Sequence, residues 1–204
     1  MPHRQWNESY ASGELPWDTG VPEPLLVEFV NSGGAAGGRA LDVGAGTGTN
    51  AIWLAEHGFD VLGIDISPLA VEKAQTKIEG RPLPCRFSAM DFLAKPPDGP
   101  FQFVFDRGCF HVFDEPGERV RFAEHVAALL EPGGLWLSII GSTEGLPREV
   151  GPPRRAAREV VLAIESALEI VELRSTEFQG HGAKAWFCLS RHRTNPAQPS
   201  TRHD

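Results

Sequence analysis

The sequence predicts an α/β fold: a single domain built on a mostly parallel seven-stranded sheet, with helices on both faces and an antiparallel hairpin at its C-terminal end. Three observations carry this. The apolar run Ala40-Leu41-Asp42-Val43 meets glycines at alternate positions, Gly44, Gly46 and Gly48, and then a helical pattern, Ala51-Ile52-Trp53-Leu54-Ala55. That is a strand, a tight loop and a helix. Four further strand-like runs, Val61–Ile64, Cys85–Met90, Phe101–Phe105 and Leu135–Ile140, are separated by helix-patterned stretches, the alternation of a parallel sheet. The last two runs, Glu169–Phe178 and Lys184–Arg191, are joined by only Gln179-Gly180-His181-Gly182, which reads as a hairpin.

Composition sets outer limits. The chain has 204 residues, enough for one domain with a proper core, and is 41% hydrophobic and 23% charged. No run approaches the ~18 apolar residues of a membrane helix, and Met1–Ser9 is too polar for a signal peptide, so no membrane partner and a cytoplasmic location are expected. Cys85, Cys109 and Cys188 show no paired spacing, so reduced thiols and no metal are expected. A formal charge of −8, from 19 basic and 27 acidic residues, disfavours nucleic acid as a partner, because phosphate binding needs a basic face. A monomer is the default expectation.

In chain order, residues 1–21 form an arm in which Trp6, Tyr10 and Trp17 punctuate an otherwise loop-like stretch. Such aromatics must cover their faces, either as an arm packed on the core or as a lid. Residues 22–191 form the domain. Leu25, Leu26, Phe29 and Val30 fit a helical period between Pro22 and Asn31. The helix after the glycine loop stops near His57 at Gly58. The second strand delivers Asp65 and Ile66. Ser67 is a good N-cap, with Pro68 at the first helical position, and that helix ends at Gly80. The third strand ends at Asp91-Phe92. Asp106-Arg107-Gly108-Cys109-Phe110-His111 follows the fourth, at the carboxyl end where open α/β sheets gather ligands. A helix over Glu115–Leu130 is expected to end at Pro132-Gly133-Gly134, and the fifth strand to begin at Leu135. The stretch from Gly141 to Pro153 is a long polar loop with Arg154 and Arg155 behind it, and a helix spans about Arg155–Leu168. The tail, residues 192–204, is expected to be disordered.

Glycines without a Cβ let a ligand approach the backbone and leave helix-start N–H groups aimed at it. Position 49 is Thr, so the dinucleotide pattern G-x-G-x-x-G is incomplete. An acid, Asp42, precedes the loop, and Asp65 stands about 20 residues after its first glycine, where a carboxylate accepts hydrogen bonds from ribose hydroxyls. Acid-x-G-x-G-x-G followed by an acid after the second strand resembles the class I S-adenosylmethionine-dependent methyltransferases. Trp17-Asp18-x-Gly20, the Asp106–His111 segment, and Gly151-Pro152-Pro153 with Lys184-Ala185-Trp186 resemble the small-molecule members related to thiopurine, tellurite-resistance and thiol methyltransferases.

The resemblance implies a Rossmann-like fold, S-adenosylmethionine as cofactor with S-adenosylhomocysteine as product, and direct in-line methyl transfer to a small thiol or chalcogen compound. It implies cofactor contacts from Trp17, Asp42, Gly44, Ala45, Gly46, Gly48, Thr49, Asp65, Ile66, Asp91, Phe92 and Asp106, with Trp17 as a lid at the methionine end. Asp91 in that role would meet the adenine amino group; alternatively it is a turn acid at a strand end. The expected acceptor rim is Trp17, Phe110, His111, Phe113 and the loop up to Arg155. Arg107 or Arg155 would attract an anion, and His111 would act as base or orient the acceptor. Their plainer readings are a packed histidine and an arginine paired with a neighbouring acid. Cys109 is not expected to be a nucleophile, because methyl transfer needs no covalent intermediate. Competing readings are O- or N-methylation of a small metabolite, a non-catalytic cofactor-binding protein, and a nicotinamide oxidoreductase, the last disfavoured by Thr49 and by the lack of a Tyr-x-x-x-Lys set.

Overall fold

The computed structural model describes residues 6–145, 151–178 and 182–193. The expected tail beyond Arg193, part of the loop before Gly151 and the turn of the C-terminal hairpin lie outside the described residues. The elements run α1 (Trp6–Ser12), α2 (Pro24–Asn31), β1 (Gly38–Val43), α3 (Thr49–Glu56), β2 (Phe59–Asp65), α4 (Pro68–Ile78), β3 (Cys85–Ala89), β4 (Phe101–Arg107), a 3-10 turn (Phe110–Val112), α5 (Pro116–Leu129), β5 (Leu130–Gly141), α6 (Ala157–Ile164), β6 (Glu169–Phe178) and β7 (Ala183–Arg191). The seven strands lie in the order β3-β2-β1-β4-β5-β7-β6. All pairings are parallel except β5 with β7 and β7 with β6.

Alternation along the strands sends side chains to two cores. On one face Ala40, Phe103, Phe105, Leu137 and Phe187 meet Leu25 and Leu26 of α2, Ile52 and Leu54 of α3, and Val71 and Ala74 of α4. On the other, Leu41, Val43, Val104, Trp136 and Ile140 meet Phe122 and Val126 of α5 and Val160 and Ile164 of α6. The chain order reverses between β1 and β4, so a crevice opens at their carboxyl ends, the position open α/β sheets use for ligands.

Local signals decide most boundaries. Ser67 Oγ accepts the Ala70 N–H at 3.2 Å and Pro68 opens α4, as expected of a cap. Four expectations are corrected. The arm is not loop throughout: Trp6–Ser12 is helical, held by contacts with α4 rather than by its own propensity. β5 begins at Leu130, not Leu135, because Leu130 already pairs with Phe101; Pro132-Gly133-Gly134 sits in a bulge where the register shifts between Phe101 and Phe103. Helix α6 starts at Ala157, because Arg155 is drawn into a bridge with Ser142. At the start of the tail, His192 Nε2 pairs with the Leu130 carbonyl at 3.2 Å and Arg193 donates to the Glu165 carbonyl, so these two residues are anchored.

Candidate active site

The glycine loop folds over the end of β2: the N–H groups of Gly44 and Ala45 both donate to the Ile64 carbonyl, at 2.8 and 2.9 Å. Gly48 has φ of +82°, and a Cβ there would stand 2.5 Å from the Phe87 ring, so both conformation and space demand glycine. At Gly46, φ is +56° and a Cβ would come within 2.9 Å of the Tyr10 hydroxyl. The arm thus lies directly on the loop.

Three buried carboxylates gather beneath it. Asp65 Oδ2 accepts the Gly46 N–H and Oδ1 the Ser67 N–H, each at 2.9 Å. Burial pushes the Asp65 carboxyl up, against the N–H groups of Ser67, Gly46 and Ile66. Asp106 Oδ1 accepts from Phe110 N at 2.9 Å and Cys109 N at 3.2 Å, and Oδ2 from Trp136 Nε1 at 3.0 Å. Burial raises it to about 6 against those donors. Asp42 is 1% exposed, and its Oδ2 has no hydrogen-bond partner among the described residues. Burial, then the charges of Asp106 and Asp65, raise Asp42 to about 8.

The arm closes the crevice. Trp17 Nε1 donates to the Tyr10 hydroxyl at 3.4 Å, and the two rings meet edge to face. Asn7 Oδ1 accepts from Ser67 Oγ, Lys73 Nζ donates to the Tyr10 carbonyl, and Thr47 Oγ1 donates to Asp18 Oδ2 at 2.7 Å while accepting from Lys77. Arg107 joins arm to sheet: Nε donates to Glu23 Oε2 at 2.6 Å and a terminal nitrogen to the Trp17 carbonyl at 3.1 Å. What remains is a cavity of about 60 Å³ between Trp17, Tyr10, Asp42, the glycine loop and Arg107. A larger one, about 370 Å³, opens at the other end of the strands among Gly33–Gly37 and Glu131–Leu135. It has no convergent set of titratable groups, so the smaller cavity is the candidate site.

This arrangement, a glycine loop and strand-end acids at the β1/β4 crevice, has relatives. The sequence model of the family described as thiopurine S-methyltransferase (TPMT) matches residues 1–187. The chain belongs to the thiopurine S-methyltransferase family. A probable thiol methyltransferase 2 from Arabidopsis thaliana is 36% identical over 72% of this chain and 65% of its own length. A thiocyanate methyltransferase 1 from Brassica oleracea is 32% identical over 74% and 67%. The chain therefore spans about two thirds of the length of these relatives. A solved structure from work on converting a disulfide bond into a thioacetal group during echinomycin biosynthesis superposes with a TM-score of 0.78 at 25% identity, covering 94% and 92% of the two chains. TehB from Haemophilus influenzae, with a TM-score of 0.71 at 18% identity over 92% and 67%, shares the fold.

In this thiopurine S-methyltransferase family member, Trp17, Asp42, Gly44, Ala45, Gly46, Thr49 and Arg107 line one cavity. Asp65 is bonded to the loop, Gly48 is packed beneath it, and Ile66 stands exposed beside Asp65. Asp91 Oδ1 accepts from Leu93 N and Ala94 N at 3.0 and 3.1 Å, a turn acid at the end of β3. Phe92 is corrected: its ring is buried on Phe122, with centroids 4.6 Å apart, and belongs to the core. Asp106 is likewise fully buried beneath the site, with both oxygens taken by the protein.

The expected acceptor rim is corrected further. Phe110 is fully buried between Phe122 and Trp136. Phe113 is half-buried against Phe122. His111 is buried, and its Nδ1 accepts the Gly141 N–H at 2.6 Å. That bond places the ring proton on Nε2, so this histidine is a neutral donor rather than a base. Arg155 donates to the His111 and Phe113 carbonyls and pairs with Asp114 Oδ1 at 2.9 Å, so its charge is spent holding the 110–114 segment. Arg107 is paired with Glu23. Sequence reasoning named Asp18 only within the Trp17-Asp18-x-Gly20 segment, and missed Glu23, Thr47, Lys73 and Lys77. Of those missed, only the lysines carried a signal: four apart on α4, they point the same way.

Proposed function

We propose that the chain transfers the methyl group of S-adenosylmethionine to a small thiol or chalcogen compound, releasing S-adenosylhomocysteine. The observation that carries this is Asp42: a buried carboxylate whose Oδ2 lacks a partner among the described residues, in a cavity walled by Trp17 and Tyr10. Such a site favours a cation, through charge on one side and aromatic rings on the other. The proposed cofactor carries two, a sulfonium and an ammonium. Asp65, already oriented by Gly46 and Ser67, keeps lone pairs for ribose hydroxyls, and exposed Ile66 offers an apolar surface for the base. Asp91 Oδ2 is the proposed acceptor of the adenine amino group.

When bound, the cofactor supplies an activated methyl group. The chain's residues position the acceptor and exclude water. With His111 a donor and Arg107 paired to Glu23, the described residues offer no dedicated base at the site outside its buried acids, which suits an acceptor already partly ionised at neutral pH, as thiols with a pKa near 8.5 are. The thiol and thiocyanate methyltransferase relatives support sulfur. The arm, residues 1–21, serves as a lid in this reading. The cavity of about 60 Å³ is far below the roughly 300–1,000 Å³ of ligand sites, so in this reading α1 and Trp17 move aside to admit the cofactor. The cytoplasm is the proposed compartment, supported by three free thiols and by the lack of any helix, among the described residues, long and apolar enough to cross a membrane.

The test is incubation with methyl-labelled cofactor and a panel of thiols, thiocyanate, selenite, tellurite, a phenol and a hydroxyquinolone. Label on sulfur or another chalcogen is expected. Label only on oxygen or nitrogen would replace the acceptor class. Binding of S-adenosylhomocysteine with no product from any acceptor would make this a binding protein.

A further inference from the structure

Asp42 and Asp106 stand on neighbouring strands one register step apart, Asp42 opposite Phe105 and Val43 opposite Asp106, so the two carboxylates leave the sheet on opposite faces. The groups facing Asp42 are Asp106 on β4, Asp65 on β2, Cys109 after β4, the Ala51 N–H of α3, and Tyr10 and Arg107 across the cavity. Arg107 is paired with a fourth buried acid, Glu23. Asp42 and Asp18 therefore line the cavity with Asp65 and Asp106 buried nearby, and the arginine that lines it is already engaged. Asp106 has three N–H donors to hold its charge and Asp65 has three, whereas Asp42, which lines the cavity, has one, and its Oδ2 has no partner among the described residues.

We infer that Asp42 is a proton-exchange group of the site, protonated while the cavity holds no cation, ionised when the sulfonium lies beside it, and protonated again once methyl transfer has removed that charge. This rests on the cofactor assignment proposed above. The step balances for a thiol acceptor: the electron pair of its S–H bond forms the new S–C bond, the pair of the broken C–S bond stays on the departing thioether sulfur, and Asp42 gains the proton. The positive charge thus leaves the sulfonium and reappears as a proton on the carboxylate, so the charge of the pocket is unchanged. The direction of the carboxyl shifts agrees, with Asp42 raised to about 8 and Asp106, held down by its donors, to about 6. The site then prefers the charged cofactor over its neutral product, and the preference strengthens as Asp42 loses its proton.

Calorimetric titration of the intact protein with S-adenosylmethionine and with S-adenosylhomocysteine, at pH 7 in buffers of different ionisation enthalpy, counts the protons exchanged. We expect the charged ligand to release more protons than the product, the difference approaching about one per site. Asp42→Asn, titrated at ligand concentrations that saturate its weakened site, should bring the two counts together. In the wild-type protein, the ratio of the two affinities should rise with pH between about 6 and 8, by up to about tenfold per unit. Equal proton counts together with a flat affinity ratio, with both ligands bound, would overturn the inference and leave the cofactor assignment standing. Failure of both ligands to bind would remove the assignment and the inference with it.

Discussion

Replacing Arg107 by alanine isolates the strut between the arm and the sheet. Its guanidinium meets Glu23 at 2.6 Å, with the two side chains 14% and 1% exposed, lies over the Phe178 ring at 5.0 Å, and bonds the Trp17 carbonyl. Removing it leaves the Glu23 carboxylate buried with only the 3.4 Å bond from Leu25 N. Breaking one side of a buried pair costs ~3–5 kcal/mol, and the partial exposure of Arg107 puts this case at the low end, about 3 kcal/mol. Urea unfolding of wild type, Arg107→Ala, Glu23→Gln and the double variant measures it. With m near 2–3 kcal/mol/M, the midpoint of Arg107→Ala should fall by about 1–1.5 M, and the double variant should recover part of the loss, a coupling of about 1.5–3 kcal/mol. A single-variant loss below about 0.5 kcal/mol with no coupling would mean that the pair is solvated like a surface bridge, and that Arg107 is free to meet an anionic acceptor.

Three further outcomes are expected. Gly48→Ala forces a Cβ to 2.5 Å from the Phe87 ring at φ of +82°, so about 2–4 kcal/mol of stability should go, read as a fall in thermal midpoint; an unchanged midpoint would show that the loop relaxes freely. Asp65→Ala should weaken S-adenosylhomocysteine binding by about 1.5–3 kcal/mol, or roughly 10- to 150-fold, by calorimetry, and unchanged affinity would refute its ribose role. The unliganded protein should lose stability as pH rises from 6 to 8: Asp42, raised from 3.8 to about 8, holds in the folded state a proton that the unfolded chain has lost, so the unfolding free energy falls by up to about 1.4 kcal/mol per unit. Asp42→Asn should flatten that slope in urea midpoints taken across the window, and an equal slope in the variant would assign it elsewhere.

What the sequence made legible is what its neighbours along the chain decide. Asp65 could be read because the glycine loop and the end of β2 fix it within one strand-loop-helix-strand unit, and Ser67 because its cap bond reaches only to Ala70. Helix α1 was not legible: its anchors, Ser67 for Asn7 and Lys73 for Tyr10, lie some sixty residues downstream. The start of β5 was hidden for the same reason. Pro132-Gly133-Gly134 is a helix stop by any local rule, and only the pairing of Leu130 with Phe101 keeps the strand going before it. Arg155 misled most: behind a polar loop it reads as a surface cation, while its partners at 111, 113 and 114 lie over forty residues upstream.

These differences bear on where acceptor choice resides. The segment after β4 is too constrained to vary freely: Phe110 fills the core, His111 is fixed by Gly141, and Arg155 and Arg119 together hold the carbonyls of residues 111, 113 and 114. A wall built that way can set the depth of a pocket, but changing its chemistry means unpairing buried charges at several kcal/mol each. The arm carries no such cost. Trp17 is half-buried, Val21 is 64% exposed at the cavity mouth, and Trp17 is held by hydrogen bonds with Tyr10 and Arg107 and by edge-to-face contacts with Trp6 and Tyr10, each worth about 1 kcal/mol. Under the proposed lid reading the arm is also the cheapest surface on which to alter the acceptor, and we propose residues 17–21 rather than 110–113 as the place where acceptors are discriminated.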